Sequence, residues 1–208
     1  MVIAARSTRE DYYRVLAETL DEKVLVVTAL GNASYLWSAI RPAPENFYFE
    51  DAMGLALPFA LGLAVAQPER QVVVVEGDGG LLMHMGALVS VGAVAPGNLT
   101  ILLIQNGVHG ASGGQDLPTS KLDFSNLAQA SGLTRAENIA SAKDFQKPMA
   151  SALNQQGPTF MALNTIADID VFVPPEPFEP ILVKRSFSKA AGVSPYIPTM
   201  FGGGIRKR

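Results

Sequence analysis

The sequence predicts an α/β fold, a doubly wound parallel sheet flanked by helices, on three observations. Apolar runs of strand length rich in Val, Ile and Leu recur at residues 24–30, 71–76 and 99–104, with a last one at 159–164. Their near-continuous apolarity is what a parallel strand covered on both faces requires. Segments of helical character alternate with them, and two of the runs lead into glycine turns that open a helix, Gly31-Asn32-Ala33-Ser34 and Gly77-Asp78-Gly79-Gly80. That is the pattern of a sheet that binds ligands at its carboxyl edge.

Each element follows in order. Ser7 with Glu10 forms a capping-box pattern opening a helix that runs to Leu20. After the strand at 24–30 and the helix behind Gly31, Pro42 and Pro44 break the chain before a short strand, Phe47-Tyr48-Phe49. Residues 54–66 are small and apolar and read as a helix packed closely on the sheet, with Pro58 marking its start or a kink. The strand at 71–76 is followed by a buried helix over 81–95, the strand at 99–104, and a polar, glycine-rich loop to about Lys121. Helices near 123–131 and 142–155 precede the strand at 159–164. Pro174, Pro175, Pro177 and Pro180 then mark the end of the domain. The expected division is an α/β domain at 1–172 and a Pro/Gly-rich basic tail at 173–208.

With 208 residues and 48% hydrophobic content, the chain has material for one sizeable core. It has no cysteine, which excludes disulfides, thiolate zinc sites and iron–sulfur ligation by its own residues. A net charge of −3 implies no bulk attraction to nucleic acid. The stretch after Glu179 is nonetheless basic, with Lys184, Arg185, Lys189, Arg206, Lys207 and Arg208 and no acid. It reads either as a solvated or partner-wrapping arm or as a segment facing phosphate or substrate. No apolar leader and no run approaching the roughly 18 residues of a membrane span is present, so a cytoplasmic protein without membrane contact is expected.

The chemistry-bearing residues sit where strands end. Asp78 follows the strand at 71–76, and Asn106 follows the strand at 99–104, 28 positions later (106 − 78). Magnesium takes six oxygens at short distances and usually only a few from protein. One carboxylate, one carboxamide and a loop carbonyl at a single sheet edge therefore suit a magnesium ion carrying a diphosphate. Gly77, Gly79 and Gly80 let the backbone turn and approach a bound group, and the helix behind them offers free N–H groups. A Gly-Asp-Gly by itself is a common turn; the flanking strand and helix and the matching Asn106 make the signal specific.

With those residues in place, the chain resembles the thiamine diphosphate-dependent enzymes, whose cofactor motif is Gly-Asp-Gly with an Asn at about this distance. The stretches 46–56, 76–88 and 106–115 are similar to the branch that holds phosphonopyruvate decarboxylase and the β subunit of sulfopyruvate decarboxylase, and the likeness spans roughly 24–165. It implies the fold of that family's diphosphate-binding domain. It also implies that Asp78, Asn106 and the main-chain carbonyl of Val108 hold magnesium, while Gly31, Asn32, Gly77, Gly79 and Gly80 lie near the diphosphate. Met53 matches the bulky apolar residue that props the cofactor into a bent shape, and Asp51 stands close to the main-chain carbonyl that meets the aminopyrimidine. The chain departs from the pattern at Gln105-Asn106, where two Asn are usual, and at Asp51-Ala52-Met53-Gly54, where Gly-Ser-Met-Gly is usual.

His109, three positions past Asn106, is a candidate proton shuttle; the alternative is a histidine hydrogen-bonded within its loop. Ser112, Gln115 and Lys121 lie in the segment expected to cover the site, and His84, Trp37, Met83 and Met85 read as structural. The family also needs a pyrimidine-binding domain that supplies an activating glutamate, and no such domain is visible in this sequence. The resemblance therefore implies a hetero-oligomer of several copies of this chain with a separate pyrimidine-binding subunit. Its reaction would be decarboxylation of a small 2-oxo acid, using thiamine diphosphate and magnesium. The alternatives are a carboligase of the acyloin or acetolactate synthase kind, and a non-catalytic scaffold subunit.

Overall fold

The structure, a computed structural model, describes residues 7–167 and 178–193. Six parallel strands form one sheet in the order β2-β1-β3-β4-β8-β7: β1 is Leu25–Thr28, β2 Asn46–Tyr48, β3 Val72–Gly77, β4 Leu99–Gln105, β7 Arg135–Ile139 and β8 Thr159–Asn164. A separate antiparallel pair, β5 (Val108–His109) and β6 (Gln115–Asp116), forms a small ribbon beyond β4.

Strand periodicity sorts the core into two layers. Leu25, Val27, Val72 and Val74 face helices α3 (Ala56–Ala66), α5 (Gly86–Val94), α6 (Phe124–Ala130) and α8 (Pro180–Ala190). Val26, Val73 and Val75 face α1 (Arg9–Thr19), α2 (Asn32–Ile40) and α7 (Gln146–Leu153). Residues in β1, β3, β4 and β8 are almost all buried, as the apolar runs require.

Several elements differ from expectation, each for a physical reason. The cap of α1 is Thr8 with Asp11 rather than Ser7 with Glu10. Ser7 is drawn away, bridging to Thr165 and accepting the Ala142 N–H at 2.9 Å. Helix α3 starts at Ala56 because Gly54 has φ +82°, outside the helical region, and Pro58 falls in the first turn, where a missing N–H costs nothing. The helix expected over 81–95 is two: α4 (Asp78–Met83) starts at the aspartate itself and ends at His84, and α5 restarts at Gly86. Strand β7 carries no apolar run, and α8 lies among prolines. Phe187 of α8 is buried against Phe47 and Phe59, with ring centroids at 5.3 and 6.4 Å. The expected domain boundary at 172/173 and Gly202-Gly203-Gly204 lie outside the described residues.

Candidate active site

Chain order sets the position of the site. After β1 the chain crosses through α2 on one layer to β2, whereas after β3 it crosses through α4 and α5 on the other layer to β4. β1 and β3 are neighbours, paired Thr28 to Val75, so their loops part above the sheet and leave a crevice, the usual ligand position in such a fold. A cavity of about 320 Å³ opens there. It is lined by Asn32 after β1, by Gly77 at the end of β3 with Asp78, Gly79 and Gly80 after it, and by Asn106, Val108 and His109 after β4, with Met53 alongside. Gly31 and the exposed Asp51 do not line it.

Pairing of Gly77 with Ile104 brings the two strand ends level. Asp78 is 1% exposed; its Oδ2 accepts the Gly107 N–H at 2.8 Å and its Oδ1 the Gly79 N–H at 3.0 Å. Burial pushes its carboxyl above the ordinary range, opposed by these N–H groups and by the charge of Arg9. Asn106 Oδ1 accepts the Val108 N–H at 3.1 Å, which fixes its orientation. Among the described residues no cluster of three or more His, Asp or Glu side chains is placed to hold a cation. A cation here would take one carboxylate, one carboxamide and a carbonyl, with the remaining oxygens from its ligand.

Glycines keep the cavity open. A Cβ on Gly79 would lie 2.8 Å from Cε1 and 2.9 Å from Nδ1 of His109, and 3.2 Å from Cε of Met53. His109 and Met53 thus meet over Gly79. Gly80 has no room for a side chain because the Glu76 carboxylate occupies it.

Two lining residues carry no local signal in the sequence. Glu76, 1% exposed, is the penultimate residue of β3; burial pushes its carboxyl up to about 7, while N–H groups of Gly77, Leu57 and Ala56 pull the other way. It ties the Gly-Asp-Gly turn to the start of α3. Arg9, 7% exposed, reaches the cavity from the first turn of α1. Ser112, also lining, is bonded within the ribbon turn to Gln115, while Lys121 is exposed and His84 lies outside the cavity.

The donor set suits a magnesium diphosphate. Asn32 Oδ1 and Arg9 Nε are buried without partners beside the cavity, a pattern that calls for a polar ligand or water. The glycine floor admits a bulky group against backbone. The profile of the family described as "Thiamine pyrophosphate enzyme, C-terminal TPP binding domain" matches residues 31–163.

The chain belongs to that family.

Among its relatives, a phosphonopyruvate decarboxylase of Streptomyces viridochromogenes is 39% identical over 160 residues, covering 77% of this chain and 40% of the relative. The sulfopyruvate decarboxylase subunit beta of Methanothermobacter thermautotrophicus is 37% identical over 139 residues, covering 67% of this chain and 72% of the relative. The chain thus spans less than half of the first relative and most of the second. A solved thiamine diphosphate-dependent 4-hydroxybenzoylformate decarboxylase of Rhodococcus jostii RHA1 matches with a TM-score of 0.71 at 23% identity, over 82% of this chain and 34% of that one. That likeness concerns the fold, a parallel sheet between helical layers. No helix among the described residues is long and apolar enough to cross a membrane.

Proposed function

We propose that this chain is the cofactor-binding subunit of a thiamine diphosphate- and magnesium-dependent 2-oxo acid decarboxylase that completes its active site with a separate pyrimidine-binding subunit. The observation that carries the reading is the convergence of Asp78 and Asn106 at the mouth of one crevice, over a glycine floor, within this family's fold.

Asp78, Asn106 and the Val108 carbonyl would hold magnesium, and Asn32, Gly77, Gly79 and Gly80 would let the diphosphate lie close to backbone, with Gly31 set back from the cavity at the start of the helix turn. Met53 offers volume without polar chemistry, which suits a prop. When bound, the cofactor would supply the electron sink that takes up the bonding pair left behind as carbon dioxide departs. His109, on the ribbon strand β5 and packed over Gly79, would deliver a proton to the product. Asp51 is exposed and would act through its backbone at the pyrimidine end.

A partner is supported by the surface as well as by relatives named as β subunits. Leu55, Phe59, Met83, Met85 and Val89 on α3, α4, α5 and the turns between them are all more than a third exposed. Helices apolar on every face are normally buried, and here the outer side of these is not covered by the chain itself. The pyrimidine-binding subunit is the occupant that fits, because Leu55 lies between the cavity-lining Gly54 and Ala56 and two positions from Met53.

Native mass spectrometry of the protein purified with its accompanying subunits tests the reading. A second subunit with thiamine diphosphate and magnesium is expected, and Asp78→Ala should abolish magnesium-dependent turnover in that assembly. Retained turnover in the variant would sink the assignment. Product analysis with and without an acceptor aldehyde separates decarboxylation from carboligation.

A further inference from the structure

The cavity contains a cation that the Gly-Asp-Gly motif does not account for. Arg9 precedes Asp78 by 69 positions (78 − 9), yet lines the same crevice. Its side chain is more than nine-tenths buried, its Nε has no hydrogen-bond partner, and among the described residues it forms no ion pair. Removing a guanidinium from water without such compensation is costly. Asp78 is near enough to feel its charge, but both carboxylate oxygens already accept backbone N–H groups. Around it the cavity is mostly backbone and apolar side chains such as Ala29, Leu30, Ala33 and Ile104.

The position of Arg9 is also fixed. Thr8 and Asp11 cap α1 reciprocally, Ser7 is pinned to Thr165 and Ala142, and the Tyr12 hydroxyl lies 3.2 Å from the carbonyls of Ile139 and Asn164. Ser7 and Tyr12 thus hold the first turn of α1 against the ends of β7 and β8 and the start of the segment after β7, while the cap fixes the turn itself. A planar fork of donors on a rigid base is suited to an oxyanion rather than to a diffuse surface role.

We propose that Arg9 is an oxyanion-binding residue of this cavity, taking a phosphate-type group from either the diphosphate of the cofactor or the acid group of the substrate. The inference rests on the function proposed above. The place beside Asp78 favours the diphosphate: magnesium carries less positive charge than the combined negative charge of a diphosphate and the Asp78 carboxylate, and Arg9 reduces the remainder.

Calorimetric titration of magnesium with inorganic pyrophosphate into the full chain tests it, comparing the parent with Arg9→Gln, Arg9→Lys and Asp78→Ala. Arg9→Gln should weaken pyrophosphate binding by about tenfold or more, the loss of a charge-assisted hydrogen bond. Arg9→Lys keeps the charge without the fork and should lose less; it also serves if the Gln variant fails to give a cooperative melt. If Asp78→Ala loses binding while both Arg9 variants match the parent, and their KM values are unchanged in the assembled enzyme, Arg9 is a structural residue and the cofactor reading stands. If the Arg9 variants lose binding and Asp78→Ala does not, Arg9 stands and the metal assignment falls. A parent that takes no pyrophosphate overturns both. In the assembled enzyme saturated with cofactor, a KM raised for a 2-oxo acid bearing a second acid group but not for pyruvate, with pyrophosphate affinity intact, assigns the oxyanion to the substrate.

Discussion

Met53 reaches the cavity from a turn and is 37% exposed, so its contribution to folding is small and its contribution to ligand shape is testable in isolation. Met53→Leu keeps the volume and should retain most turnover. Met53→Ala should lose on the order of a hundredfold through misplacement of the bound group, with the melting temperature of the chain unchanged. His109→Asn should likewise lower turnover by about a hundredfold if the imidazole moves a proton, while pyrophosphate affinity stays at the parent level; a matching loss of affinity would make it a binding residue instead. Asp78 and Asn106 were legible in the sequence because a polar side chain at the end of an apolar strand stands out locally. Arg9 and Glu76 were not. Arg9 looks like any charged residue in a first helical turn, and Glu76 like the last residue of a strand, until the sheet brings α1, α3 and β3 to one edge.

Helix α6 begins at Asp123, whose carboxylate accepts from Asn138 Nδ2, the Asn126 N–H and Ser125 Oγ. These bonds hold its carboxyl down to about 2, below the ordinary 3.8. The folded state therefore favours the charged form: the contribution is complete above 3.8 and is lost as pH falls through about 2. Asp123→Ala should lower the melting temperature at neutral pH, with the gap to the parent closing across that acid window. Gly92 of α5 packs on the backbone of Ser131, just past α6, so closely that a side chain has no space. Gly92→Ala should cost about 1–3 kcal/mol in urea unfolding. Strands β3, β4 and β8 were readable because burial on both faces leaves an unbroken apolar run. Strand β7 was not, since as an edge strand it buries only Ile139 and reads as polar.

For the whole molecule, α8 is the informative element, because it comes from sequence dense in proline and still closes the core. Phe187 and Ala191 are buried, and Arg70 donates to the Ala190 carbonyl at 2.9 Å. Phe187→Ala should cost about 3–5 kcal/mol, read from denaturant unfolding; a neutral result would mean that α8 is not part of the folded unit. The crevice between β1 and β3 has a different kind of consequence. Asn32 belongs to one helical layer and Gly79-Gly80 to the other, so a ligand gripped by both ties the two layers together across the crevice. By mass action, ligand at a hundred times its dissociation constant adds about 2.7 kcal/mol. Proteases should then find the loops on either side of the crevice harder to cut once it is filled. A cell short of the ligand would hold less of this protein as well as less of its activity.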